Sequence, residues 1–103
     1  MTAAEAAAKV YTRDELRTMI VPLVDKHGLK GAWLFGSYAR NEATPASDID
    51  VLVEGGQGFR PLSVFSLADD LCELSGKKVD IFEVSELDDG SFRDTVLQEA
   101  VIL

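Results

Sequence analysis

The stretch Ser47-Asp48-Ile49-Asp50-Val51-Leu52-Val53 restricts the fold more than any other part of the chain. Its β-branched and apolar residues favour a strand, on which side chains alternate between two faces. Ile49, Val51 and Val53 then share one face and require a core to bury it. Asp48 and Asp50 share the other, with Cα atoms about 6.6 Å apart at a rise near 3.3 Å per residue. Two carboxylates held side by side repel each other, which raises the pKa of one unless a cation lies between them. Mg²⁺ suits such a pair, because it takes oxygen ligands and commonly completes its shell with water and substrate phosphates. Acids at the start of a strand are also ordinary solvated turn residues, so Asp-x-Asp alone does not decide the matter.

The rest of the chain supplies the cover that this strand needs. Thr12-Arg13-Asp14-Glu15 has the form of a capping box, followed by Leu16, Met19, Ile20, Leu23 and Val24 at helical spacing. Pro22 is expected to kink this helix, and His27-Gly28 to end it, with His27 stabilising the last carbonyls. Residues 32–35 form an apolar strand, with Trp33 and Phe35 as core or interface residues. Gly36-Ser37 is a turn, Tyr38-Ala39-Arg40-Asn41 opens a short helix, and 44–47 form a loop. Residues 61–75 form a helix with Val64, Leu67, Ala68, Leu71 and Leu74 on one face and Cys72 as a small core residue. Gly76 stops it. Residues 78–84 are a third strand. Asp88-Asp89-Gly90 is a turn, Ser91 caps a last helix carrying Phe92, Val96, Leu97 and Ala100, and Val101-Ile102-Leu103 form a short edge strand.

Strands alternating with helices predict an α/β (α+β) fold, a small mixed β-sheet with helices packed on it, whose strand order the pattern leaves open. A chain of 103 residues fits a single domain over 1–103, with 1–11 as an Ala-rich extension that can fray.

Two further features bear on chemistry. Leu34-Phe35-Gly36-Ser37 follows a strand, and glycine lets a backbone approach a ligand closely. Ser37 adds a hydroxyl, so the turn, eleven residues before Asp48, is placed to meet phosphate. Lys77-Lys78-Val79-Asp80-Ile81-Phe82 puts an acid inside an apolar strand. If Val79 and Ile81 face the core, Asp80 joins Asp48 and Asp50 on one face, and three carboxylates can hold two Mg²⁺ about 4 Å apart. The competing reading makes Asp80 an edge-strand acid that resists aggregation. Gly55-Gly56-Gln57-Gly58 lacks the ending of a Walker loop and the third glycine of a dinucleotide fingerprint; it reads as a loop or as a lid.

The segment from Gly36-Ser37-Tyr38-Ala39-Arg40-Asn41 through Ser47-Asp48-Ile49-Asp50 to Val53, with Asp80 on a later strand, resembles the signature of the minimal nucleotidyltransferase family within the polymerase β-like superfamily. The likeness extends over nearly the whole chain. Asn41 departs from it, standing where glycine is common. The resemblance implies the nucleotidyltransferase fold, two Mg²⁺ and ATP as donor. It implies that Asp48 and Asp50 bind both metals, and that Asp80 binds the second and activates or orients the attacking hydroxyl. It places Gly36, Ser37, Arg40 and Ser47 on the nucleotide side. Arg40 either neutralises the leaving pyrophosphate or is a solvated helix arginine. The partner it implies is a HEPN-domain ribonuclease toxin, adenylylated on a tyrosine within a hetero-oligomer. Two alternatives stand beside this: an antitoxin that acts by occlusion without catalysis, and a transferase acting on a small molecule such as an aminoglycoside.

Charge separates these partners. The chain carries 18 acids against 10 bases, a net charge of -8, which repels phosphate backbones. Direct nucleic-acid binding is therefore not expected; a bound divalent cation or a basic protein partner suits the charge, and the ribonuclease toxin that the resemblance implies would be basic in order to bind RNA. No apolar run reaches the roughly 20 residues of a membrane span, and a cytoplasmic location is the expectation.

Overall fold

In the computed structural model, residues 9–56, 60, 62–84 and 90–103 are described, with the side chains of 91–93 set aside. The expectations for residues 1–8, Gln57, Gly58, Pro61, Asp88, Asp89 and the Phe92 side chain lie outside the described residues. Helix α1 spans Arg13–Lys26 and starts where the capping box predicts. The Thr12 Oγ1 accepts from the Glu15 amide at 3.1 Å, and a Glu15 carboxylate oxygen accepts from the Thr12 amide at 3.0 Å. Pro22 lies inside the helix, which continues through it to Lys26. His27 is the C-cap, but its ring departs from the expectation. Its Nε2 meets Asp70 Oδ2 at 2.9 Å, bridging to another helix instead of capping its own carbonyls.

Strand β1 is Gly31–Phe35 and is followed at once by the short helix α2, Gly36–Ala39. The helix thus begins at Gly36, two residues before the predicted start. The Arg40 amide donates to the Gly36 carbonyl at 3.1 Å, which draws the glycine into the turn. Strand β2 is Ile49–Glu54, helix α3 Leu62–Ser75, strand β3 Val79–Glu83, helix α4 Ser91–Glu99 and strand β4 Val101–Ile102. The sheet order is β3-β2-β1-β4. β1 runs antiparallel to both β2 and β4, while β2 and β3 run parallel, joined through α3. The predicted mixture of parallel and antiparallel pairs is present.

The sheet is covered on both faces. Ile49, Val51 and Val53 face Leu16, Ile20, Leu23 and Val24 of α1 and Leu67 and Leu71 of α3, and all are buried. On the opposite face, Phe35, Leu52 and Val96 form a second, smaller cluster with Trp33, Phe82 and Val84 against it. Phe35 and Phe82 meet edge to face, ring centroids 5.3 Å apart. Helix α3 turns the predicted face inward, with Leu67 and Leu71 buried beside Ser75 and Val64 and Ala68 partly buried, but Leu74 and Cys72 are exposed. The buried stripe follows steps of four residues, and Leu74 and Cys72 lie to either side of it. Among the described residues no helix is long and apolar enough to cross a membrane.

Candidate active site

The acids lie on the sheet face of the smaller cluster, at the end where β2 and β3 begin and β1 ends. Asp50 and Asp80 are direct partners in the parallel ladder, and Phe35 is the partner of Asp50 on the other side. Parallel pairing puts partner side chains on one face, so the two carboxylates stand side by side. Val79 and Ile81 pack against the main core, which fulfils the condition for Asp80 to share the face of Asp48 and Asp50. Behind the pair, the next residues on that face are Leu52 and Phe82, both apolar.

This setting governs the charge on Asp50. Burial comes first, then the neighbouring Asp80 and Asp48 carboxylates; together they push its pKa up to about 6, against a partial pull downward from Arg40. Asp48 stands further out, its Oδ2 3.8 Å from Lys78 Nζ. Among the described residues no three acidic, histidine or cysteine side chains close into a ready metal cage. Mg²⁺ does not need one, because it is held by one or two carboxylates with waters and phosphates filling the remaining positions. Asp50 is raised by burial and by two like charges that Arg40 offsets only in part, and this donor set fits a divalent cation.

Gly36 borders the acids directly. Its φ is +70°, and a Cβ built on it would overlap Asp50 Oδ2 and lie 3.2 Å from Asp50 Cγ. Glycine is required there twice over, for the left-handed backbone and for the space. Ser37 is partly buried in the first turn of α2, and its carbonyl accepts from the Glu42 amide at 2.9 Å. Arg40 caps that helix; its Nε donates to Glu42 Oε2 at 3.1 Å and its Nη1 to Glu99 Oε2 at 3.0 Å. It is exposed but tied down, and its charge reaches Asp50. Ser47 Oγ accepts from the Thr44 amide at 2.8 Å, closing the turn that leads into β2. Asn41 has a φ of +58°, so the residue standing in place of the common glycine occupies a conformation that asparagine tolerates. Sequence reasoning gave no role to Lys77 and Lys78, although two adjacent lysines ahead of Asp80 in so acidic a chain are a legible signal.

A four-stranded mixed sheet with an acidic pair beside a glycine–serine bend defines a nucleotidyltransferase, and the family described as "Polymerase beta, Nucleotidyltransferase" matches residues 19–103. The chain belongs to that family. Among its relatives is the Methanocaldococcus jannaschii protein named "Putative protein adenylyltransferase MJ0435", 43% identical over 88 residues, covering 85% of this chain and 94% of the relative. The Thermococcus cleftensis protein adenylyltransferase MntA is 37% identical over 96 residues, covering 89% and 96%. The solved "Structure of putative minimal nucleotidyltransferase" superposes with a TM-score of 0.74 at 33% identity, covering 100% of this chain and 97% of that one. A crystal structure of a toxin–antitoxin with AMP-PNP shares the fold at 22% identity and a TM-score of 0.69, covering 84% and 70%.

Proposed function

We propose that the chain is a Mg²⁺-dependent protein adenylyltransferase that moves AMP from ATP to a tyrosine of a HEPN-domain ribonuclease toxin, and so acts as an antitoxin. The observation that carries the reading is the side-by-side placement of Asp50 and Asp80 beside Gly36. Two relatives named as protein adenylyltransferases, each covering most of this chain, support AMP as the group transferred. The net charge of -8 supports a basic partner.

Asp48, Asp50 and Asp80 are the residues assigned to hold the metal. Once bound, Mg²⁺ neutralises and orients the triphosphate. Gly36 makes room for the Asp50 carboxylate, and Gly36, Ser37, Arg40 and Ser47 are the residues assigned to the nucleotide. Asp80 orients the tyrosine hydroxyl and accepts its proton as the oxygen attacks the α-phosphorus. The new O–P bond forms in line with the bond to the β-phosphate, which breaks and releases pyrophosphate. The chain contributes position and charge complementarity, the two terms that dominate phosphoryl chemistry.

The test is an incubation of the protein with Mg²⁺, each of the four nucleoside triphosphates and the candidate toxin, read by intact mass. A gain equal to one or more AMP units on the toxin, with ATP only and lost in Asp50→Asn, is the expected result. Protection of cells that survives Asp48→Ala with Asp50→Ala, with no change of toxin mass, would establish occlusion instead.

A further inference from the structure

Lys77 is a buried cation close to the acids, and it lies outside the machinery assigned above. It is 5% exposed, and its Nζ donates to the Pro45 carbonyl at 2.9 Å. Its amide donates to Ser75 Oγ at 3.2 Å, and the Ser75 carbonyl accepts from the Tyr11 hydroxyl at 2.7 Å. A buried ammonium is costly unless its protons are bonded, so a carbonyl that receives one is held firmly in place. The two ends of this bond are equally spaced from the acids: Pro45 lies three residues before Asp48, and Lys77 three residues before Asp80. Between these points the strands join, the Ile49 amide donating to the Lys78 carbonyl at 3.0 Å, and Asp50 comes to stand opposite Asp80. The bond therefore fastens the loop entering β2 to the turn entering β3, just ahead of the acidic pair. Through this bond Lys77 bears on the placement of the acids.

We propose that Lys77 is a positioning residue, whose buried bond to the Pro45 carbonyl holds residues 44–48 so that Asp48 and Asp50 stand in place beside Asp80. This rests on the reading of the three acids as the metal and nucleotide site, and the test separates the two. The variants are Lys77→Met, which keeps length and removes the charge, and Lys77→Gln, which keeps a shorter donor and serves if the first does not fold. Two quantities are measured: amide hydrogen exchange at Ser47 and Ile49, and Mn²⁺ affinity in the presence of a non-hydrolysable ATP analogue. A displacement of about 1 Å costs on the order of 100-fold in rate where geometry matters, so even partial release of this loop is measurable.

In Lys77→Met, exchange at Ser47 and Ile49 is expected to accelerate about tenfold or more while Val51 and Val53 stay protected, and Mn²⁺ affinity to fall about tenfold. Lys77→Gln is expected to fall between this and the wild type. Wild-type exchange at Ser47 and Ile49 in a folded variant overturns the role of Lys77. Accelerated exchange with unchanged Mn²⁺ affinity also overturns it, because the loop would then not place the acids. If the wild-type protein itself binds no Mn²⁺ with the analogue, the reading of the acids fails, and the role of Lys77 as a positioning residue for them fails with it. The exchange data would still report the bond to Pro45 in that case.

Discussion

Replacing Gly36 with alanine separates two effects that the structure superimposes. The left-handed backbone at Gly36, φ +70°, costs an L-residue about 1–2 kcal/mol. At about 4–8 °C per kcal/mol for a domain of this size, the melting temperature should fall by about 4–16 °C. The added methyl also overlaps Asp50 Oδ2, so the carboxylate must move. A shift of about 1 Å in a metal-binding acid is enough to reduce transfer on the order of 100-fold. Gly28 supplies the control: its φ is +66°, and a Cβ there meets nothing within 4 Å. Gly28→Ala should therefore lose comparable stability and keep its transfer rate. The assay pairs a thermal melt with the rate of mass gain on the acceptor, at a temperature where both variants are folded. Equal transfer rates in folded Gly36→Ala and Gly28→Ala would refute the claim that Gly36 exists to give Asp50 its space.

Asp50→Asn should abolish transfer yet stabilise the metal-free fold near pH 8. The pKa of Asp50 is raised to about 6 from 3.8, so its ionisation opposes folding. The stability it contributes is complete below about pH 4 and is lost as pH rises through about 6, so the variant should gain about 1–3 kcal/mol at pH 8 and nothing near pH 4 in paired melts, a range discounted for partial exposure. Mg²⁺ must displace the proton that Asp50 retains below pH 6, so calorimetric Mg²⁺ affinity should weaken progressively from pH 7 to pH 5. Cys72 is exposed, so a thiol reagent should label the native protein stoichiometrically with no unfolding step. Tyr11→Phe removes a buried donor to the Ser75 carbonyl and should cost about 1–3 kcal/mol in denaturant titration.

The elements were legible where one physical cause dominates. The capping box fixed the start of α1, because two reciprocal side-chain bonds need only the residues at its ends. The alternation in β2 fixed its faces, because a slip of one residue would bury Asp48 and Asp50 and expose Ile49, Val51 and Val53. The errors arise where tertiary contacts decide. Cys72 and Leu74 fit a broad apolar stripe on α3, but α1 and the sheet leave room only for the narrower line of Leu67, Leu71 and Ser75. His27 had a plausible local role at its helix end, yet Asp70, 43 residues away, offers it a stronger partner. Long-range pairs of this kind leave no trace in local spacing.

The candidate site follows the same division. That Asp48 and Asp50 share a face is a local fact, set by a period of two. That Asp80 joins them depends on β3 lying next to β2 in parallel, with residue 50 opposite residue 80 and not 79 or 81. The helical crossover makes the parallel arrangement natural, but register requires anchors at the mouth of the pair. Ile49 bonded to Lys78 is one, and Lys77 bonded to Pro45 is another. Both precede Asp50 and Asp80, so the ladder is fastened before the facing pair whose mutual repulsion would otherwise spread it. Like charges directly opposite on neighbouring strands destabilise a sheet. Here that cost falls where Gly36, lacking a Cβ, makes room for the Asp50 carboxylate, and on the proposed function a bound cation would remove it.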